Sequence, residues 1–123
     1  MPSKNPSQRL LDIVDNIDAI RAFIGGMALG AFAEDRKTVY AVIRALEIIS
    51  EASRRLPVDF KNRYSDIDWM AVGAAGNVYR HEYEAVDDSL IWHTVQHSLT
   101  SLRDAASDEL QRLSEPRRGS PGG

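Results

Sequence analysis

Apolar residues recur along this chain at steps of three and four, the spacing that lines one face of an α-helix, and no stretch alternates long enough to read as a strand. Leu10, Ile13, Val14, Ile17, Ile20 and Ile24 form the first stripe. They predict a helix from about Gln8 to Ile24, with Ser7 as N-cap and Gly25-Gly26 as its stop. Asp12, Asp15 and Asp18 fall mostly off that stripe. Residues 27–34 are rich in small side chains and read as a loop with one helical turn, anchored by Leu29 and Phe32. Asp35 caps a second long helix reaching about Leu56, with Val39, Val42, Ile43, Leu46, Ile49 and Leu56 as its apolar set and Ala45 and Ala52 at close-packing positions. Its β-branched residues lower helix propensity slightly, and burial outweighs that.

Pro57 stops this helix or opens a short turn through Phe60, and residues 62–66 read as a loop. Asp66 or Asp68 caps a third helix, from about Trp69 to His81. Ala71, Gly73, Ala74, Ala75 and Gly76 make it thin, and a helix-interior glycine costs about 1 kcal/mol against alanine. Either a neighbouring backbone comes very close or a ligand needs the room, and packing against the second helix is the reading taken here. Asp87 or Asp88 caps a last helix, from about Ser89 towards Leu113, with Leu90, Ile91, Val95, Leu99, Leu102, Ala106 and Leu110 as its stripe and Trp92 beside it. Four main helices with short links make an all-α antiparallel bundle over residues 7–114. Residues 1–6 are expected to be a flexible tail and 115–123 a disordered one.

Composition narrows the function classes. At 123 residues the chain is one domain with a single core. No apolar run approaches membrane-spanning length, and the polar N-terminus lacks the apolar core of a signal peptide. The absence of cysteine excludes disulfides and thiolate metal sites and fits a cytoplasmic location. A formal charge of −3 argues against a generic DNA-coating protein and leaves room for a local basic cleft.

Candidate chemistry concentrates in Asn77-Val78-Tyr79-Arg80-His81-Glu82-Tyr83, which gathers an amide, a guanidinium, an imidazole and two phenols. In a helix Asn77 and His81 share a face one turn apart. A charged donor beside a group that titrates near neutral pH is what metal-free phosphodiester chemistry requires. An isolated histidine at a helix end is ordinarily favoured by the dipole alone, and the company of Arg80, Asn77 and Tyr83 shifts the balance. On the second helix Arg44, Glu47 and Glu51 follow one line. They read either as a solvated face with an intrahelical ion pair or as a polar stripe facing the Arg80–His81 segment or a partner subunit. His93 and His97 have the spacing of a metal pair but no convergent carboxylates, and read as two exposed histidines, so no metal or cofactor is expected.

Over about residues 8–103 the chain resembles the HepT-like ribonuclease toxins of the HEPN superfamily. The resemblance rests on Asp35 through Ala52, Leu56-Pro57, Ile67-Asp68-Trp69, Asn77 through Tyr83, Val86-Asp87, Ile91-Trp92 and Val95-Gln96. That family's signature is an arginine, four residues, a histidine, one residue and a tyrosine. His81 and Tyr83 match its end, while the arginine position falls on Gly76, leaving Arg80 as substitute donor. Neighbouring helical side chains diverge by about 100°, which separates Arg80 from His81 unless the helix ends there. The resemblance implies an all-helical homodimer whose two motifs share one cleft and cleave RNA without metal. It implies a type II/VII-like toxin–antitoxin pair, in which a nucleotidyltransferase antitoxin transfers AMP to Tyr83. The catalytic residues would be Asn77, Arg80 and His81, with Arg44, Glu47 and Glu51 along the cleft. The alternative is a non-catalytic helical partner or substrate-binding subunit of a nucleotidyltransferase.

Overall fold

A computed structural model of the chain describes residues 6–81 and 88–114, with residues 77–81 described through the backbone alone. The described residues form seven helices and no strand: α1 (Ser7–Ile24), α2 (Leu29–Glu34), α3 (Arg36–Arg54), α4 (Val58–Arg63), α5 (Trp69–His81), α6 (Asp88–His97) and α7 (Leu99–Ser114). The all-α reading holds. Of the tails expected at 1–6 and 115–123, residues 1–5 and 115–123 lie outside the described residues, and Pro6 is described at the start of the first helix.

Helix boundaries follow local chemistry. Pro6, not Ser7, stands at the start of α1. Its backbone is already helical (φ −74°, ψ −6°) and its carbonyl accepts the Leu10 amide at 2.9 Å, so the helix opens one residue early without a side-chain cap. Gly25 ends α1 at φ +54°, a left-handed conformation that glycine adopts without a Cβ clash. Asp35 caps α3 by accepting the Thr38 amide at 3.2 Å, and Asp68 caps α5 by accepting the Ala71 amide at 3.1 Å. Residues 29–34 and 58–63 form complete short helices, so Asn62 and Arg63 are helical rather than loop. Phe32 and Phe60 anchor them in the core, whereas Leu29 is exposed.

α3 is the central element, flanked by α1 and α5, and α7 closes the bundle against α1. The stripes predicted for α1 and α3 supply most of the core: Leu10, Ile13, Ile17, Ile20 and Ile24 face Val39, Val42, Ile43, Leu46, Ile49 and Leu56. Each large aliphatic side chain so buried contributes about 1.5–3 kcal/mol. The last predicted helix is interrupted at Ser98, which divides it into α6 and α7. Ile91, Leu99, Leu102 and Ala106 keep their buried phase across the break, but Leu90 is 58% exposed and does not join the core.

Polar ties fix the outer helices. Arg103 grips both oxygens of Asp18 at 2.7 and 2.9 Å, joining α7 to α1. Arg36 joins α3 to α6 through Asp88 at 3.0 Å. Glu109 on α7 is buried and held by Arg112 of its own helix and by Arg63 of α4. Those guanidiniums, Arg112 foremost, hold the Glu109 carboxyl below its ordinary range against the opposing effect of burial.

Candidate active site

The thinness of α5 has a cause on α3. A Cβ on Gly76 would lie 2.5 Å from Ser50 Oγ and 2.9 Å from Ser50 Cβ, so only glycine fits there without displacement. The Ser50 hydroxyl is buried in the backbone of α5. It accepts the Gly76 amide at 2.9 Å, and the carbonyls of Val72 at 2.7 Å and Gly73 at 2.9 Å lie within reach of its proton. One turn earlier, a Cβ on Gly73 would meet Arg54 Cγ at 2.8 Å. The close approach expected from the glycines is real, and its partners are Ser50 and Arg54. Neither was singled out by the sequence. A serine within an apolar stripe reads as a small filler, and nothing local marks it as a hydrogen-bonding peg.

These contacts set an antiparallel register between α3 and α5, with Arg54 beside Gly73 and Ser50 beside Gly76. One further turn along both helices puts Leu46 and Glu47 level with Tyr79 and Arg80. Glu47 and Glu51 are half-buried and Arg44 is exposed. The intrahelical pairing of this stripe joins Glu51 to Arg55 at 2.9 Å and to Arg54 at 3.6 Å.

α5 stays helical through both Arg80 and His81. The helix therefore does not end before His81, and the two positions keep their separation of about 100°. Helical periodicity divides the motif between two faces. Arg80 lies four residues after Gly76, on the face that meets α3. Asn77 and His81 lie on the face that carries Met70 and Ala74, with Gly73 at its border with the α3-facing side. Tyr83 lies outside the described residues.

Beside that second face, between α4 and the first half of α5, is an open groove of about 430 Å³, lined by Arg54, Lys61, Trp69, Met70, Gly73 and Ala74. Burial pulls the Lys61 ammonium below its ordinary range. A groove of similar size lies near Arg63, Tyr64, Asp104 and Asp108, away from the motif. There Tyr64 donates to Asp108, which with burial pushes the phenol up to about 12. His93 and His97 are exposed with ring centroids 4.5 Å apart, and among the described residues no group of three or more His, Asp or Glu could hold a metal ion. No helix among them is long and apolar enough to cross a membrane.

A family model described as ribonuclease HepT-like matches residues 13–109. A probable ribonuclease HepT of Thermococcus cleftensis is 39% identical over 94 residues, covering 76% of this chain and 86% of that protein. A putative RNase of Methanocaldococcus jannaschii is 37% identical over 95 residues, covering 77% and 78% respectively. A putative RNase of Caldanaerobacter subterraneus is 28% identical over 109 residues, covering 89% and 97%. No solved structure matches.

Proposed function

The chain belongs to the HepT-like ribonuclease family, and on that footing we propose that it is a metal-independent endoribonuclease, the toxin of a toxin–antitoxin pair. His81 takes the proton of an RNA 2′-hydroxyl, and the freed oxygen attacks the adjacent phosphorus. The bond to the 5′-oxygen breaks, that oxygen takes up a proton, and a cyclic phosphate is left. Arg80 stabilises the charge on the phosphorus oxygens and Asn77 orients them.

The observation that carries this reading is the placement of Arg80 on the face of Gly76, one turn later. Arg80 can thereby serve the region an arginine at 76 would serve, and Glu47, level with it on α3, is suited to hold it. Two copies of the chain bring their His81 positions to one cleft. A nucleotidyltransferase antitoxin silences the toxin by adenylylating Tyr83.

The non-catalytic alternative has one observation in its favour, the enclosed glycine at the motif arginine position. Cleavage of RNA by the purified chain in the presence of a chelator decides between the two. His81→Ala and Arg80→Ala are each expected to lower the rate by about 10²–10³, with the helical fold intact. Tyr83→Phe is expected to keep most cleavage and to lose AMP acceptance from ATP and the cognate transferase. Wild-type protein that cleaves nothing before any adenylylation would establish the non-catalytic partner.

A further inference from the structure

We propose that the groove between α4 and α5 is a second RNA subsite, in which Arg54 and Lys61 hold backbone phosphates of a strand whose scissile bond lies at the Asn77–His81 face. The inference rests on the ribonuclease reading above and gives it a path for the substrate.

Charge is the first argument. Among the described residues that line the groove two are cations and none is an acid. Lys61 is half-buried, burial pulls its ammonium below the ordinary range, and among the described residues no carboxylate pairs with it. An ammonium drawn partly out of water without a counter-ion is an unfavourable arrangement that an incoming anion relieves. Arg54 has a carboxylate neighbour in Glu51, but at 3.6 Å, and a guanidinium carries five N–H donors. A phosphate can share it without breaking that pair.

Position is the second. The alkyl stem of Arg54 crosses α5 where Gly73 has no side chain, since a Cβ there would stand 2.8 Å from Arg54 Cγ. The glycine thus lets Arg54 lie across the motif helix itself. Met70 and Ala74, on the α5 side of the groove, share their helical face with Asn77 and His81. Seven residues separate Ala74 from His81, about 10 Å along the axis, a span that a few nucleotides of single strand cover. Met70, 86% exposed at the groove, offers an apolar surface to a base while the cations take the phosphates.

The test compares wild type with Lys61→Ala and Arg54→Ala, using a dinucleotide and a longer single-stranded RNA, with cleavage kinetics and fluorescence anisotropy read in parallel. Each substitution is expected to raise KM and the dissociation constant for the long strand about tenfold. Each is expected to leave kcat and dinucleotide cleavage unchanged and to reduce the log–log salt slope of binding by about 0.7. If wild type cleaves and both variants match it on the long strand, the subsite is overturned and the ribonuclease reading stands. If wild type cleaves nothing, the subsite stands or falls on whether the two variants weaken strand binding. If they instead dissociate a dimer and leave RNA affinity unchanged, the groove seats a second copy of the chain and the proposal fails.

Discussion

Gly76 shows how one position can be misjudged from sequence and explained by geometry. As the family's arginine position it looks like a loss, yet it is where Ser50 enters α5. Replacing a helix-interior glycine with alanine ordinarily gains about 1 kcal/mol. Gly76→Ala is expected to reverse that sign and cost about 1–3 kcal/mol, because both the oxygen and the Cβ of Ser50 stand too close. Gly30→Ala in α2, where an added Cβ meets nothing within 4 Å, is the control and is expected to gain. Urea unfolding midpoints of the two variants test the contrast, and equal shifts would refute it. Gly76→Arg is likewise expected to lower stability rather than raise activity, as thermal melting and RNA cleavage on one preparation will show. The sequence made the thin stretch legible, because glycines in a helix are costly and need a reason. It could not reveal the peg, since Ser50 and Gly76 are distant in the chain and only the register of two helices joins them.

Among the elements, α4 was the least legible in the sequence and carries a consequential tie. Pro57 and Phe60 marked a turn, but not that Arg63 would meet Glu109, far along the chain on α7. The Glu109 carboxyl is held below its ordinary value of 4.5, chiefly by the Arg112 hydrogen bond. Its folded state binds the proton more weakly than the unfolded chain. The stabilisation is therefore present above about pH 4.5 and lost as pH falls through the lower folded value. Glu109→Gln is expected to lower the melting temperature at pH 7, with the gap to wild type closing towards pH 3. A gap that stays constant with pH would mean the carboxylate charge contributes nothing. Tyr64 behaves oppositely. With its phenol raised to about 12, its contribution is complete below pH 10 and is lost as pH rises through 12. Spectrophotometric titration should find one tyrosine ionising late, and Tyr64→Phe should remove it. The division at Ser98 was illegible for a simple reason: the apolar phase of α6 and α7 is continuous, and periodicity records phase rather than interruption.

For the molecule as a whole, the all-α bundle and its core were legible almost residue by residue, because burial follows the three- and four-residue steps of α1 and α3. Association is written less plainly. Tyr40, Met70 and Leu90 are large and exposed, more apolar surface than the bundle covers by itself. A two-fold dimer is expected, and light scattering that finds a monomer at tens of micromolar, a concentration well above the Kd of a specific interface, would count heavily against it. The formal charge of −3 adds a constraint on any RNA complex. Attraction must come from local cations, so binding is expected to weaken steeply with salt. Salt-insensitive binding would point to contacts other than phosphates.

The seating of Ser50 has a consequence for measuring motion. The Gly76 amide hydrogen is held by a hydroxyl from a neighbouring helix, so its release requires α3 and α5 to part as well as local fraying of α5. Deuterium uptake at that one amide thus times the separation of the helix that carries the motif from the helix that supports it. Ser50→Ala should make it exchange faster than the amides around it.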